Sequence, residues 1–315
     1  MRLAVLTLGL LPALAFPSDD AQQWLDRMSR AVQTLNYEGT FVYSHDGKME
    51  TMKIVHAYGP EGPREHLISL SGEAREMIRN RGILTCIWPG SRSVVVEQAR
   101  SKAGMPSGLA MPEPAIANHY ELLVGPRERV AGLNCRTVDV RPRDAFRFGY
   151  RLCIAEDNGM LLKSLMLDAS GTPIEQLMFT SIEFDGAAES PRFESPPEHE
   201  AASGRFSDES YPVDPGWQLT SLPPGFELRS VVSRPMHEDG EPVQQMIVSD
   251  GLASVSVFIA EPSADEQYYQ GVTDTGALHA YARVLDGYQI TVVGEVPEAT
   301  VRLIGGGLAY EGEAP

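Results

Sequence analysis

The first ordered stretch of the chain has apolar residues at helical spacing. Trp24, Leu25 and Met28 begin a series that continues through Ala31, Val32 and Leu35, while polar residues occupy the positions between them. Apolar residues at steps of three and four form one face of an α-helix. Ser18 or Asp19 supplies a capping side chain. The pattern therefore predicts an amphipathic helix from about residue 18 to residue 35.

After residue 36 the hydrophobic period changes from helical spacing to two, which is typical of half-buried strands. Glycine-containing turns separate these runs. The predicted strands cover residues 40–43, 49–58, 64–70, 74–80, 82–88, 91–97, 133–140, 148–154, 161–167 and 174–184, with a short helix at 114–124. Many antiparallel strands with few helices predict a strongly curved or barrel-like sheet.

A second group of strands follows near the end of the chain. Alternation and turn residues predict strands at 226–233, 243–249, 253–260, 278–285 and 288–296, then a short helix at 298–304. We interpret the glycines at 305–307 as a flexible tail, because they follow the helix and form no phosphate-binding helix start. The fold class is thus mainly β with a few helices.

Residues 187–210 separate the two groups. This stretch contains six acids, five serines and three prolines, and no Val, Ile, Leu, Met or Trp. Such a composition cannot bury a core and is typical of a linker. We predict an N-terminal domain at 16–186, a linker at 187–210 and a C-terminal domain at 211–315. The alternative is a long surface loop within one domain.

The N-terminal residues 1–15 have the pattern of a cleaved secretory signal. One arginine precedes about thirteen apolar residues that end in Ala-Leu-Ala. A bilayer span needs roughly 20 such residues. We therefore expect a cleaved signal and an exported protein; a short N-terminal anchor is the alternative.

Composition excludes several classes of protein. The chain has 315 residues, 43% of them hydrophobic, and a net charge of -17. This excludes a chain disordered throughout, a collagen-like repeat and a small disulfide scaffold. A nucleic-acid binder needs a basic face, and the acidic balance argues against one.

Export affects how the three cysteines are interpreted, because disulfides persist in oxidising compartments. A hairpin folded about Asp144 places Cys135 opposite Cys153, with Val138 opposite Tyr150 and Val140 opposite Phe148. We predict a Cys135–Cys153 disulfide with Cys86 left as a thiol. Three reduced cysteines are the alternative.

No motif of nucleophilic, nucleotide-binding or zinc-protease chemistry occurs in the chain. None of the seven histidines forms an i, i+4 pair with another. We therefore predict no catalytic residue, no metal site, no cofactor and no enzyme activity. An unrecognised hydrolase is the alternative that an activity screen would test.

A basic cluster contrasts with the acidic chain. Residues 127–151 hold seven arginines against Glu128, Asp139 and Asp144. Arginine suits phosphate and carboxylate groups. The candidates for an anionic ligand or an acidic partner segment are Arg141, Arg143, Arg147 and Arg151, of which 141, 147 and 151 fall on the polar face of the predicted hairpin. The alternative is a solvated face paired with the chain's own acids.

Apolar side chains on the opposite face of the hairpin and on the first elements form a second candidate set. An open curved sheet with apolar walls can hold an acyl chain, whereas an ordinary packed core explains the same residues. The candidates are Trp24, Met28, Phe41, Tyr43, Ile54, Val138, Val140, Phe148, Tyr150 and Leu152.

The chain resembles the RseB/MucB family of periplasmic negative regulators of the sigma-E (AlgU) envelope-stress response. The segments that carry the resemblance are WLDRM (24–28), LNYEGTFVY (35–43), RVAG (129–132), RPRD (141–144), RFGY (147–150), GMLLK (159–163), LPPGF (222–226), DGLASVSVFI (250–259) and VVGEVP (292–297). They occur in order over essentially the whole mature chain.

The resemblance implies an N-terminal domain like LolA and LolB, an unclosed antiparallel β-barrel over helices, followed by a smaller domain. It implies binding to the periplasmic segment of a membrane anti-sigma factor of the RseA/MucA type, which is thereby protected from proteolysis. It implies release by lipopolysaccharide or mislocalised lipoprotein. A lipid or lipoprotein carrier of the LolA type is the alternative function, and formation of a homo-oligomer is left open.

Overall fold

The computed structural model describes residues 18–90, 93–98, 114–185, 193, 204–205, 212–214, 216–235, 241–261 and 268–311. The predicted signal at 1–15 lies outside the described residues. So do residues 99–113 and most of the predicted linker.

The N-terminal part consists of one helix and a twelve-stranded sheet. Among the described residues the helix is α1 (Ser18–Thr34), and a 3-10 turn covers Pro114–Asn118. The strands are β1 (Tyr37–His45), β2 (Lys48–Gly59), β3 (Gly62–Ser69), β4 (Glu76–Asn80), β5 (Ile83–Trp88), β6 (Ser93–Gln98), β7 (Tyr120–Val130), β8 (Leu133–Pro142), β9 (Gly149–Ala155), β10 (Leu161–Leu167), β11 (Pro173–Phe184) and β12 (Gly204–Arg205).

The sheet is unclosed, as predicted. Its order is β12-β6-β5-β4-β3-β2-β1-β11-β10-β9-β8-β7, and within the described residues no ladder joins its two outer strands. All pairs are antiparallel except β12 with β6. Strand β1 pairs with β11, and this pair connects strands β2–β6 with strands β7–β10 in one sheet. Leu25, Met28 and the other apolar residues of α1 pack against strands on one face of this sheet and close the first core.

The C-terminal part is smaller and also mainly β, again as predicted. Its elements are β13 (Trp217–Leu219), β14 (Glu227–Pro235), β15 (Pro242–Ser249), β16 (Ser254–Ala260), β17 (Gly271–Thr275), β18 (Leu278–Leu285), β19 (Tyr288–Gly294), α2 (Glu298–Gly306) and β20 (Leu308–Tyr310). Six strands form a sheet in the order β14-β15-β16-β19-β18-β17, and β13 pairs with β20. Helix α2 packs on β18 and β19 over a second core.

Two local predictions are wrong. The helix predicted at 114–124 is a 3-10 turn that ends at Asn118, and Tyr120 begins strand β7 because Tyr120 and Leu122 point inward and Glu121 outward. The glycines at 305–307 do not form a flexible tail. Gly305 and Gly306 complete α2, and β20 follows directly.

The predicted register of the cysteine hairpin is wrong by two residues. Val138 pairs with Leu152 and Val140 with Tyr150, while Cys135 lies opposite Ala155. The loop is longer than predicted because the Asp144 carboxylate accepts the Phe146 amide and organises a turn there. A two-residue slip leaves every side chain on its predicted face, since strand side chains alternate with period two.

Candidate functional site

The two domains meet at one end of the C-terminal sheet. Leu252 and Ala277 lie in turns of the second domain, yet they belong to the buried core of the first. Gly276 lies close to the Asp46 backbone in the β1–β2 turn. At the start of α2, the Thr300 hydroxyl donates to the Phe146 carbonyl at 2.6 Å. The boundary is therefore packed like a protein interior.

Arg147 is the centre of this boundary. Its side chain is fully buried, and Nη1 donates to Asp250 Oδ2 of the second domain at 2.7 Å. Nη2 donates to the Pro224 carbonyl at 2.6 Å, and Nε donates to Asp144 at 3.1 Å. The guanidinium also lies over the Phe226 ring, 5.0 Å from its centroid. One arginine of the first domain thus binds two turns of the second.

The carboxylate oxygens of Asp250 accept hydrogen bonds from both domains. Its Oδ2 accepts the Tyr120 hydroxyl at 2.9 Å as well as Arg147, and its Oδ1 accepts the amides of Leu252 and Ala253. Burial and the adjacent Asp250 carboxylate raise the pKa of Tyr120 far above its usual value. A buried ion pair contributes little net stability, whereas leaving one partner alone is costly. Loss of either Arg147 or Asp250 would therefore leave a buried charge unpaired.

Gly225 provides a direct test of this boundary. It has φ of +80°, and a Cβ there would overlap the His119 ring of the first domain. We expect Gly225→Ala to destabilise the protein by more than the roughly 1 kcal/mol of strain at a positive-φ glycine. Gly47→Ala is the matched control, because Gly47 has φ of +67° in open space. Equal losses in urea denaturation for both variants would contradict close packing at Gly225.

A cleft of about 830 Å³ opens beside the Arg147 network, and both domains line it. The first domain contributes the β8–β9 loop and the turn at 168–171. The second domain contributes His279, Pro297 and Glu298. Val140, Phe148 and other apolar side chains line part of it. The volume lies in the range of ordinary ligand sites.

One wall of the cleft carries two partly exposed arginines that share one carboxylate. Arg151 donates to Asp139 through Nε at 2.7 Å and Nη2 at 3.1 Å, and Arg141 donates to the same carboxylate at 3.0 Å. Burial alone would raise the pKa of Asp139, but the hydrogen bonds from Arg151 and Arg141 outweigh it and hold the pKa below its usual value. The cleft thus combines apolar surface with charged side chains that hydrogen bonds hold in place.

Two family profiles match this chain, one over each domain. The family profile described as the MucB/RseB N-terminal domain matches residues 20–198, and the profile described as the MucB/RseB C-terminal domain matches residues 212–309. The chain belongs to the MucB/RseB family.

Relatives of this family match at moderate identity. The sigma factor AlgU regulatory protein MucB of Pseudomonas aeruginosa is 31% identical over 95% of this chain and 94% of that protein. The sigma-E factor regulatory protein RseB of Escherichia coli is 27% identical over 89% of this chain and 87% of its own length. A solved MucA/MucB complex of P. aeruginosa has a TM-score of 0.71, with 31% identity, over 93% of this chain and 100% of that one. The MucB/RseB fold thus extends over both domains.

The ten apolar candidates lie together in the first core. Seven of them are in strands, and Phe41, Ile54 and Val138 are fully buried. Trp24 and Tyr43 are half-buried at its margin. The set packs as the interior of the domain, and only Val140 and Phe148 also line the interdomain cleft. Acyl-chain binding by these residues remains a prediction.

The four arginine candidates divide into different roles. Arg141 and Arg151 lie on the cleft wall, and Arg143 is exposed in the loop after β8. The placement of Arg147 on a polar face is wrong, because the loop turns it inward to Asp250. Sequence reasoning also missed Asp250 and Tyr120. Asp250 begins the DGLASVSVFI segment, but no local signal indicated its partner, 103 positions away.

The structure contains a disulfide between Cys135 and Cys153, with a Cα–Cα distance of 5.5 Å. It joins β8 to β9. In the described part of the chain no group of three His, Cys, Asp or Glu side chains is arranged to hold a metal ion. Nor does any described helix have the length and apolar character needed to cross a membrane.

Proposed function

We propose that this chain is an exported regulatory protein that binds the periplasmic segment of a membrane anti-sigma factor and shields it from proteolysis. The observation that carries the proposal is the match to MucB over 93% of this chain. Structures of MucB have been solved in complex with MucA and with MucA(peri). Both domains of this chain take part in that match. The proposal needs no catalytic group.

The interdomain cleft is the place we propose for the bound segment. Both domains line it, it has apolar surface for side chains, and Arg141 and Arg151 supply donors for acidic groups. Lipopolysaccharide or mislocalised lipoprotein would release the segment by favouring another domain arrangement. Each ligand then weakens the other by the same coupling energy, about 1–3 kcal/mol.

The test is a calorimetric titration of the mature protein with the host's anti-sigma periplasmic segment, with and without lipopolysaccharide. We expect binding that lipopolysaccharide weakens. Failure to bind in both conditions would contradict the proposal. Capture of lipid without any segment binding would favour the carrier function instead.

A pair of variants locates the site. Ala169 is exposed and lines the cleft, whereas Ala74 is exposed in the β3–β4 turn and does not. We expect Ala169→Trp to fill the cleft and weaken segment binding at least tenfold, about 1.4 kcal/mol. Ala74→Trp should leave the affinity unchanged. Equal affinities for both variants would move the site elsewhere while leaving the function intact.

A further inference from the structure

A small buried apolar cluster lies on the outer face of the first-domain sheet. Val55 and Ala57 of β2 are fully buried, yet they belong to neither domain's core. Their neighbour Ile54 lies in the first core, and adjacent side chains of a strand point to opposite faces. Val55 and Ala57 therefore point away from that core. The third member of their cluster is Phe193, which is only 2% exposed.

Phe193 belongs to the predicted linker, yet three strands hold it in place. Arg64 of β3 places its guanidinium carbon 4.9 Å from the centroid of the phenyl ring, within the range of a cation–π contact. Asn80 of β4 donates a hydrogen bond from Nδ2 to the Phe193 carbonyl at 3.1 Å. Ala57 pairs directly with Arg64 in the β2–β3 ladder. The ring and the backbone of Phe193 are thus both bound, in a pocket that we call the Phe193 slot: Val55, Ala57, Arg64 and Asn80.

The same stretch of chain contacts the sheet a second time, at its edge. Gly204 and Arg205 form β12, which pairs in parallel with Val95 and Val96 of β6. Strand β6 has β5 on its other side, so β12 is the outermost strand of the sheet. A segment added to a sheet edge is bound through main-chain hydrogen bonds, whatever its side chains are. The predicted linker is therefore held at two separate points.

These two contacts together have the features of a peptide-recognition surface. Such surfaces combine a pocket for an anchoring side chain with hydrogen bonds to the main chain of an extended segment. Here the slot supplies apolar walls, a cation over the ring and an amide donor, and β6 supplies the edge. The predicted linker that occupies it carries six acids. The surface thus fits an extended acidic segment with one aromatic anchor.

We propose that the outer face of β2–β4 and the edge of β6 form a peptide-docking surface, which the chain's own Phe193 and β12 occupy. The predicted linker then acts as a strap that excludes other peptides while Phe193 fills the slot. Removing that ring opens the surface to an acidic peptide with an aromatic anchor. None of the four slot residues lines the interdomain cleft, so this inference is independent of the proposed function.

The test is a titration of the whole mature protein with a fluorescein-labelled peptide of residues 188–205, followed by fluorescence anisotropy. We expect Phe193→Ala to bind the peptide at least tenfold more tightly than the wild type, whose own ring fills the slot. A peptide with alanine in place of Phe193 should bind that variant at least tenfold more weakly, because burial of a phenyl ring changes an affinity by that factor or more. Equal affinities of both proteins, or no binding to Phe193→Ala, would overturn the proposal.

Two further variants make the peptide result specific. Tyr58→Ala is the matched control, because Tyr58 is an aromatic residue of the same strand β2 that is 49% exposed and points to the face opposite Ala57. It should bind the peptide no better than the wild type. Adding Ala57→Leu to Phe193→Ala fills the slot from the sheet side and should abolish peptide binding. Binding that survives this double change would show that the slot is not the site.

A second readout follows the strap itself without any added peptide. Trypsin cleaves after arginine, and the bond between Arg192 and Phe193 is accessible only when the ring leaves the slot. We expect Phe193→Ala to raise the rate of cleavage at this bond at least tenfold over the wild type. Ala57→Leu should do the same, and it leaves the cleaved bond unchanged. Equal rates in the wild type and in both variants would overturn the strap.

Discussion

Replacing Arg147 by methionine is expected to destabilise the protein by about 3–5 kcal/mol, because it leaves the Asp250 carboxylate buried at the domain boundary without its cation. The methionine retains much of the apolar volume that packs on Tyr120 and Phe226. The loss therefore reports the missing charge and the missing bonds to Asp250, Asp144 and Pro224. Urea denaturation followed by tryptophan fluorescence measures it.

Two comparisons make the Arg147 result specific. Arg141→Met removes an exposed arginine of the same hairpin, and its pair with Asp139 should contribute 1 kcal/mol or less. Asp250→Asn keeps an acceptor for the amides of Leu252 and Ala253. The double variant Arg147→Met/Asp250→Asn should therefore recover about 2 kcal/mol of the single variant's loss. If the double variant instead loses as much stability as the two single variants together, the pair is not coupled.

Loss of the Cys135–Cys153 disulfide is the second large expected effect. The bridge spans 18 positions of sequence. Replacing both cysteines by alanine should lower the free energy of unfolding by about 3 kcal/mol, because the unfolded chain regains the entropy of an open loop. Both sulfurs are buried among core residues, so packing adds to this loss.

Cys86→Ala is the control for the disulfide and should cost about 1 kcal/mol, the ordinary effect of one substitution. Thiol titration of the denatured wild type should give one reactive thiol before reduction and three after it. Three thiols before reduction would show that the bridge does not form in the protein as purified.

The spacing of apolar residues predicted most helices and strands, because it reflects the local geometry of the backbone. Helix α1 and the hairpin strands follow from residues that alternate between buried and exposed at fixed steps. The prediction failed at residues 120–124, which begin strand β7 just after the 3-10 turn but were assigned to the same helix as that turn. Strand β17 was missed because residues 271–275 are mostly exposed and carry little apolar signal.

The site was less predictable than the fold. Arg141 and Arg151 lie on one face of the hairpin, as predicted, and both bond to Asp139. Arg147 belongs to the same hairpin but is buried, since the loop built on Asp144 turns it toward a carboxylate of the other domain.

The amino-acid sequence by itself determined that this is an acidic, mainly β chain with a helix at each end of its described part, and it carried the resemblance to the MucB/RseB family. Those properties depend on composition and on spacing between near neighbours. Only the tertiary structure decided the hairpin register, the burial of Arg147 and the interdomain cleft. Each of these depends on contacts between residues far apart in the chain, whose energies no local pattern records.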